Sequence, residues 1–185
     1  MAAQRVLRRF PFNLNLGTDI CHVVRIRGIL VSSRGARFVT KILNIEERQH
    51  PKIRRIFAQD QACHDGSMRD PRNNAFFDAA KRAHGETTRP SEAGPSTHEL
   101  QVAATFMAGR FAAKEAVIKA HPQGNLTWHD ITIKNQTSTH ADRKGAPAAI
   151  IKGANEDYEA LISISHDGEY ATAVCLGAAT RNDLA

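Results

Sequence analysis

The chain has 185 residues, 42% of them hydrophobic, 24% charged and 6% aromatic, a composition that suits one globular domain and leaves little room for a second. A domain of this length buries enough apolar surface to do without disulfides or structural metals as staples. Twenty-five basic against nineteen acidic side chains give a net charge of +6, which points to an anionic partner: nucleic acid, an acidic protein or a phosphorylated small molecule.

Cys21, Cys63 and Cys175 are an odd number with no CxxC pair, which argues against a disulfide framework and for a reducing compartment. No run approaches the roughly 20 apolar residues of a membrane span, and the amino terminus lacks the apolar core of a secretory signal. Arg5, Arg8 and Arg9, with no acid before Asp19, are compatible with a mitochondrial presequence and equally with a basic terminus of no special role.

In chain order, Phe12, Leu14 and Leu16 alternate with Asn13 and Asn15, so a half-buried strand is expected to run into Gly17-Thr18-Asp19. Ile20, Val23, Val24 and Ile26 suit a helix from Ile20 to about Leu30, with Asp19 capping or preceding it. Two more helices are expected over Phe38 to Leu43 and Ile45 to Phe57, the latter interrupted at Pro51. Residues 60–98 are rich in Gly, Pro, Ser, Thr and charge and read as a mobile insertion in a single domain covering 1–185. Glu99 to Ala120 is dense in strong helix formers and stops at His121-Pro122. Extended segments follow at Leu126 to Lys134, Ala148 to Lys152, and Leu161 to His166 paired with Tyr170 to Leu176 through a type I′ turn centred on Asp167-Gly168. Helices followed by antiparallel strands make an α+β domain without internal repeats.

At about 100° per residue, Glu115 on the long helix borders the buried stripe, and Lys119 one turn on lies within roughly 6 Å at the Cβ level. The two can share a proton or a ligand, or form an ordinary surface ion pair. Asp19, after a glycine near a strand end, fits either a helix cap or a metal ligand.

Three segments carry more information together. GTDICHVVRI at 17–26, FMAGRFAAKEAVIKA at 106–120 and SISHDGEYATAV at 163–174 resemble, in order, the signature segments of the 4′-phosphopantetheinyl transferase superfamily, closest to its holo-acyl-carrier-protein synthases. RFVTKILNIEE at 37–47 and GAPAAI at 145–150 resemble two further family segments. The resemblance implies an antiparallel sheet with a long helix packed on it. It also implies transfer of phosphopantetheine from coenzyme A to a carrier-protein serine, with release of adenosine 3′,5′-bisphosphate.

By the same resemblance, Asp19 and Glu115 match the magnesium-binding acids, and magnesium characteristically takes one or two carboxylates plus phosphates and waters. Lys119 matches a lysine at the coenzyme A pyrophosphate, where it steadies charge that builds in the transition state. Glu115 and a metal-bound water are both open as acceptors of the serine proton. His166 is implied to reach a coenzyme A phosphate, Arg110 is a further anion-binding candidate, and Arg25, Arg34 and Arg37 lie where relatives dock an acidic acyl carrier protein. Each of these cations has an ordinary solvated or ion-paired alternative. The family implies a homotrimer with active sites between subunits.

Two features depart from the family pattern: His22 stands where many members have an acid, and HPQGN at 121–125 is short, with one glycine, where they have a longer Gly-rich loop. The competing functions are a broad-specificity activator of polyketide or peptide synthases and a non-enzymatic basic module for RNA. One copy of each motif disfavours the first, and one Trp with two Tyr offers little stacking surface for the second. The expectation is therefore an enzyme of fatty acid biosynthesis in the mitochondrial matrix or the cytoplasm.

Overall fold

A strand at the amino end, which turns Leu14 and Leu16 outward and Gly17 and Cys21 inward, and a long alanine-rich helix in the middle become the two partners of one core. The computed structural model describes residues 12–57, 95–122, 125–135 and 145–178. The strands are β1 (Leu14–His22), β2 (Ile131–Asn135), β3 (Pro147–Ile151), β4 (Tyr158–Asp167) and β5 (Tyr170–Ala178). They form one sheet in the order β1-β5-β4-β3-β2, every neighbouring pair antiparallel. The helices are α1 (Val23–Leu30), α2 (Gly35–Ile42), α3 (Ile45–Arg48), α4 (Pro51–Phe57) and α5 (Thr97–Ala120).

α5 starts at a capping box, with Ser96 Oγ accepting from the Glu99 amide and the Glu99 carboxylate accepting from the Ser96 amide. Its 24 residues lie against the sheet through Ala103, Ala104, Ala108, Ala112, Ala116 and Ala120, all buried. The inner faces of the strands are equally small, with Ala160, Ala171, Ala173 and Gly177 buried. Small residues on both surfaces let the backbones approach closely. At Gly17 of β1 an added Cβ would overlap the Ala116 carbonyl oxygen and crowd the Ala120 nitrogen, so this contact requires glycine. α1 and α2 close the other side of α5 with Val23, Ile26, Leu30, Val39 and Ile42.

Several boundaries differ from the sequence reading. β1 continues through Ile20, Cys21 and His22, and the first helix begins at Val23, because all nine residues of β1 pair with β5. Asp19 is therefore inside a strand and caps no helix. The interruption expected at Pro51 holds, and the 45–57 helix is two pieces. Trp128–Asp130 is a 3₁₀ turn, closed by Thr127 and Asp130, where a strand was expected. The hairpin turn lies one residue later than expected: Asp167 pairs with Tyr170, leaving Gly168-Glu169 at the centre. Only Gly168 there has positive φ, at +51°, the arrangement of a type II′ turn. Thr97 and His98, placed in the 60–98 insertion, belong to α5, and residues 58–94 lie outside the described residues.

Cys21 and Cys175 are free and buried. Burial raises both thiols, Cys175 to about 11, so they act as small apolar core residues. Cys63 and the basic amino-terminal arginines lie outside the described residues. Among the described residues no helix is long and apolar enough to cross a membrane.

Candidate active site

The close approach of β1 to α5 decides which charged side chains meet. Gly17, Asp19 and Cys21 point toward α5, and the Asp19 carbonyl is held by Thr172 Oγ1 at 3.1 Å. From α5, Lys119 Nζ donates to Asp19 Oδ1 at 2.8 Å and to the Thr18 carbonyl at 2.9 Å. The ammonium side chain is 50% exposed and the carboxylate 17%, so the pair sits at a rim, open on the lysine side. Two of the three ammonium donors are used and the third is available to an incoming anion.

Glu115, one turn before Lys119, does not pair with it. Its Oε1 accepts a 2.7 Å hydrogen bond from the indole Nε1 of Trp128. Lys119 bridges to β1 instead, because the approach forced at Gly17 puts Asp19 within its reach. The sequence reading missed Trp128, although its position directly before β2, beside an acid on a neighbouring helix, needed only the tertiary contact to be visible.

Asp19 Oδ2 is buried and has no hydrogen-bond partner among the described residues. A desolvated carboxylate oxygen without a donor is costly unless a cation or water completes it. No group of three or more His, Cys, Asp or Glu side chains converges among the described residues. Asp19 Oδ2 is a hard oxygen of the kind that a magnesium ion takes together with phosphate oxygens and water.

His166 and Arg110 lie elsewhere along α5, each in its own surroundings. His166 lies on β4 with its ring across Gly109, where an added Cβ would come 2.8 Å from Nε2. At about 1.5 Å per residue, Gly109 and Lys119 are separated by about 15 Å along α5. Arg110 is more enclosed than a helix-surface ion pair allows: its guanidinium lies 4.7 Å from the Phe106 ring centroid and its Nε 4.0 Å from Glu47 Oε1. Desolvation pulls its pKa down and Glu47 opposes that. It lines a cavity of about 360 Å³ with Glu46, His50, Phe106 and Lys134. Within one chain, the structure pairs Lys119 of α5 with Asp19 of β1, holds Glu115 one helical turn before Lys119 on Trp128, and places His166 over Gly109.

Lys114, next to Glu115, is fully buried. It donates to the Glu47 carboxylate, to the Ile42 carbonyl at 2.9 Å and to the Trp128 carbonyl at 2.8 Å, which satisfies all three donors. Glu47 also accepts from the Asn44 amide, and from the Ile133 amide at 3.2 Å, and so ties α3 to α5 and β2. Arg25 on α1 and Arg37 on α2 are exposed, as is Arg34 immediately before α2. His22 meets Glu169 at 3.4 Å and lies 5.0 Å from the Tyr170 ring.

The family model of the 4′-phosphopantetheinyl transferase superfamily matches residues 67–175. The mitochondrial 4′-phosphopantetheinyl transferase B of Aspergillus fumigatus is 32% identical over 177 residues, covering 91% of this chain and 96% of that one. The chain belongs to this superfamily. The segment at 106–120 that resembles a family signature lies on α5, which also carries Glu115 and Lys119. A holo-acyl-carrier-protein synthase of Corynebacterium glutamicum is 34% identical over 86 residues, 40% of this chain and 64% of that one. This chain thus aligns with less than two thirds of that bacterial synthase. Among solved structures, the holo-ACP synthase of Plasmodium yoelii aligns at a TM-score of 0.49 with 24% identity, over 88% of this chain and 91% of that one.

Proposed function

We propose that this phosphopantetheinyl transferase moves the 4′-phosphopantetheine arm of coenzyme A onto a serine of apo-acyl carrier protein, with magnesium, in support of fatty acid biosynthesis. The observation that supports the reading is the Lys119–Asp19 pair at a rim one helical turn from Glu115, with a buried Asp19 oxygen left over. In the reaction the serine oxygen attacks the phosphorus that bears the pantetheine arm, the serine proton leaves, and the pyrophosphate P–O bond breaks to release adenosine 3′,5′-bisphosphate. Lys119 is held in place by Thr18 and Asp19, so its remaining N–H points charge at the pyrophosphate without first having to be ordered. Glu115 is within the same region to accept the serine proton, and its indole contact fixes one oxygen while the other faces away from that bond. Magnesium bound by Asp19 and Glu115 would neutralise pyrophosphate charge and assist the leaving group.

Arg110 and His166 are read as phosphate contacts for coenzyme A. Their distance along α5 from Lys119 favours a site completed between subunits of a homotrimer. The outer sheet face supports such an assembly: Leu14, Leu16, Ile20, Leu161, Val174 and Leu176 lie exposed on adjacent strands, Leu16, Leu176 and Leu161 in one row. Arg25, Arg34 and Arg37 form the docking side for the acidic carrier. The name of the Aspergillus relative supports a mitochondrial location and leaves the cytoplasm as the other.

The test is intact-mass spectrometry of apo-acyl carrier protein incubated with the full chain, coenzyme A and magnesium. A gain of one phosphopantetheine that disappears with Glu115→Ala or with chelator is expected. A folded sample that binds no coenzyme A and modifies no carrier would overturn the reading.

A further inference from the structure

The single tryptophan of the chain stands between both members of the Lys114-Glu115 dipeptide. Lys114 takes its backbone carbonyl at 2.8 Å and Glu115 its indole N–H at 2.7 Å. Consecutive helical residues point about 100° apart, so one residue bonded to both is held at two ends. The ring is also held on its faces and edges: Lys41 Nζ of α2 lies 4.9 Å over it, and the Phe111 ring is 6.2 Å away at 41°. The Thr127–Asp130 box closes the turn that carries it. The indole is therefore fixed before Glu115 is.

A glutamate on a helix rim has three rotatable side-chain bonds, and ordering it costs entropy at the moment a ligand needs it. Indole nitrogen only donates, so its one bond goes to an acceptor, and a 2.7 Å contact with a carboxylate has the length of a charge-assisted hydrogen bond. We infer that Trp128 is a positioning residue: its indole N–H fixes Glu115 Oε1 so that the other carboxylate oxygen is presented to the divalent cation that accompanies coenzyme A. This rests on the reading of Glu115 as a cation ligand, and partners one bond removed from a ligand typically govern affinity by about 10–100-fold. Phenylalanine at position 128 keeps an aromatic ring against Phe111 and Lys41 and deletes only the donor. A merely structural tryptophan would lose stability on that change and leave cation affinity alone.

The experiment measures coenzyme A binding by calorimetry, without carrier protein, in magnesium and in chelator, for the full chain, Trp128→Phe, Glu115→Gln and the double variant. The magnesium-dependent gain in affinity is expected to fall about tenfold in Trp128→Phe and to vanish in Glu115→Gln, with no further loss in the double variant. An unchanged gain in Trp128→Phe alongside a loss in Glu115→Gln overturns the positioning role and leaves the ligand reading intact. A gain that survives Glu115→Gln sinks both. Should Trp128→Phe fail to fold, the unmodified chain decides through its one indole. Trp128 emission must change with magnesium in the presence of coenzyme A, and must not do so in Glu115→Gln. Silence in the unmodified chain overturns the inference.

Discussion

Lys114 and Lys119 stand five residues apart on α5, each on a carboxylate, in surroundings that give the two pairs different work. The inner pair is buried: all three Lys114 donors are used, and desolvation pulls its pKa below the usual lysine range against the opposing pull of Glu47. The rim pair, Lys119 with Asp19, is half in water and retains a donor. A buried ion pair ties elements together but contributes little net stability over an apolar replacement, whereas removing one partner strands the other in the core. An exposed pair contributes little to stability and leaves its charge free for a ligand. The difference teaches that a lysine's role on this helix is set by the depth of its ammonium group, which adjacent positions in a motif do not reveal.

The largest expected effect comes from breaking the inner pair. Lys114→Ala is expected to lower stability in urea denaturation by about 3–5 kcal/mol, because Glu47 is then buried without its cation. A loss under about 1 kcal/mol would mean that the two pairs do not differ in kind. At the rim the signature inverts. Lys119→Ala is expected to change stability by at most about 1 kcal/mol while kcat/KM for carrier modification falls about 10²–10³-fold, the scale of one lost transition-state contact. A variant that loses stability and keeps activity would make Lys119 another structural lysine. The smallest effect lies with the exposed arginines. Arg25, Arg34 and Arg37 changed together to Ala should leave denaturation unchanged and slow carrier association about tenfold at low salt, with the deficit shrinking as salt rises in stopped-flow measurements. A deficit independent of salt would rule out electrostatic docking on that side.

Much of this was legible in the residues. The helix formers from Glu99 onward, the break at Pro51 and the existence of a strand at Leu14 reflect local physics and were read within a few residues, but the strand's face was not: Leu14 and Leu16 are exposed, and Gly17 and Cys21 face the core. The boundary at Ile20 was not. Ile20, Val23, Val24 and Ile26 satisfy a helical period, and pairing along the whole of β5 overrode it for the first three residues of that stretch. The hairpin was legible and its turn was off by one, since the pairing of Asp167 with Tyr170 fixes which two residues turn.

The sequence by itself determined the α+β class, the long helix and the family, because helix propensity and side-chain period act locally and motifs are matched one residue at a time. Tertiary structure alone decided that Lys119 reaches Asp19 rather than Glu115, that Trp128 holds Glu115, that Glu47 pairs with Lys114 sixty-seven residues away, and that His166 lies over Gly109. Each pairing joins α5 to another element of the fold, and the first of them depends on the close approach of β1 to α5 that Gly17 permits against Ala116.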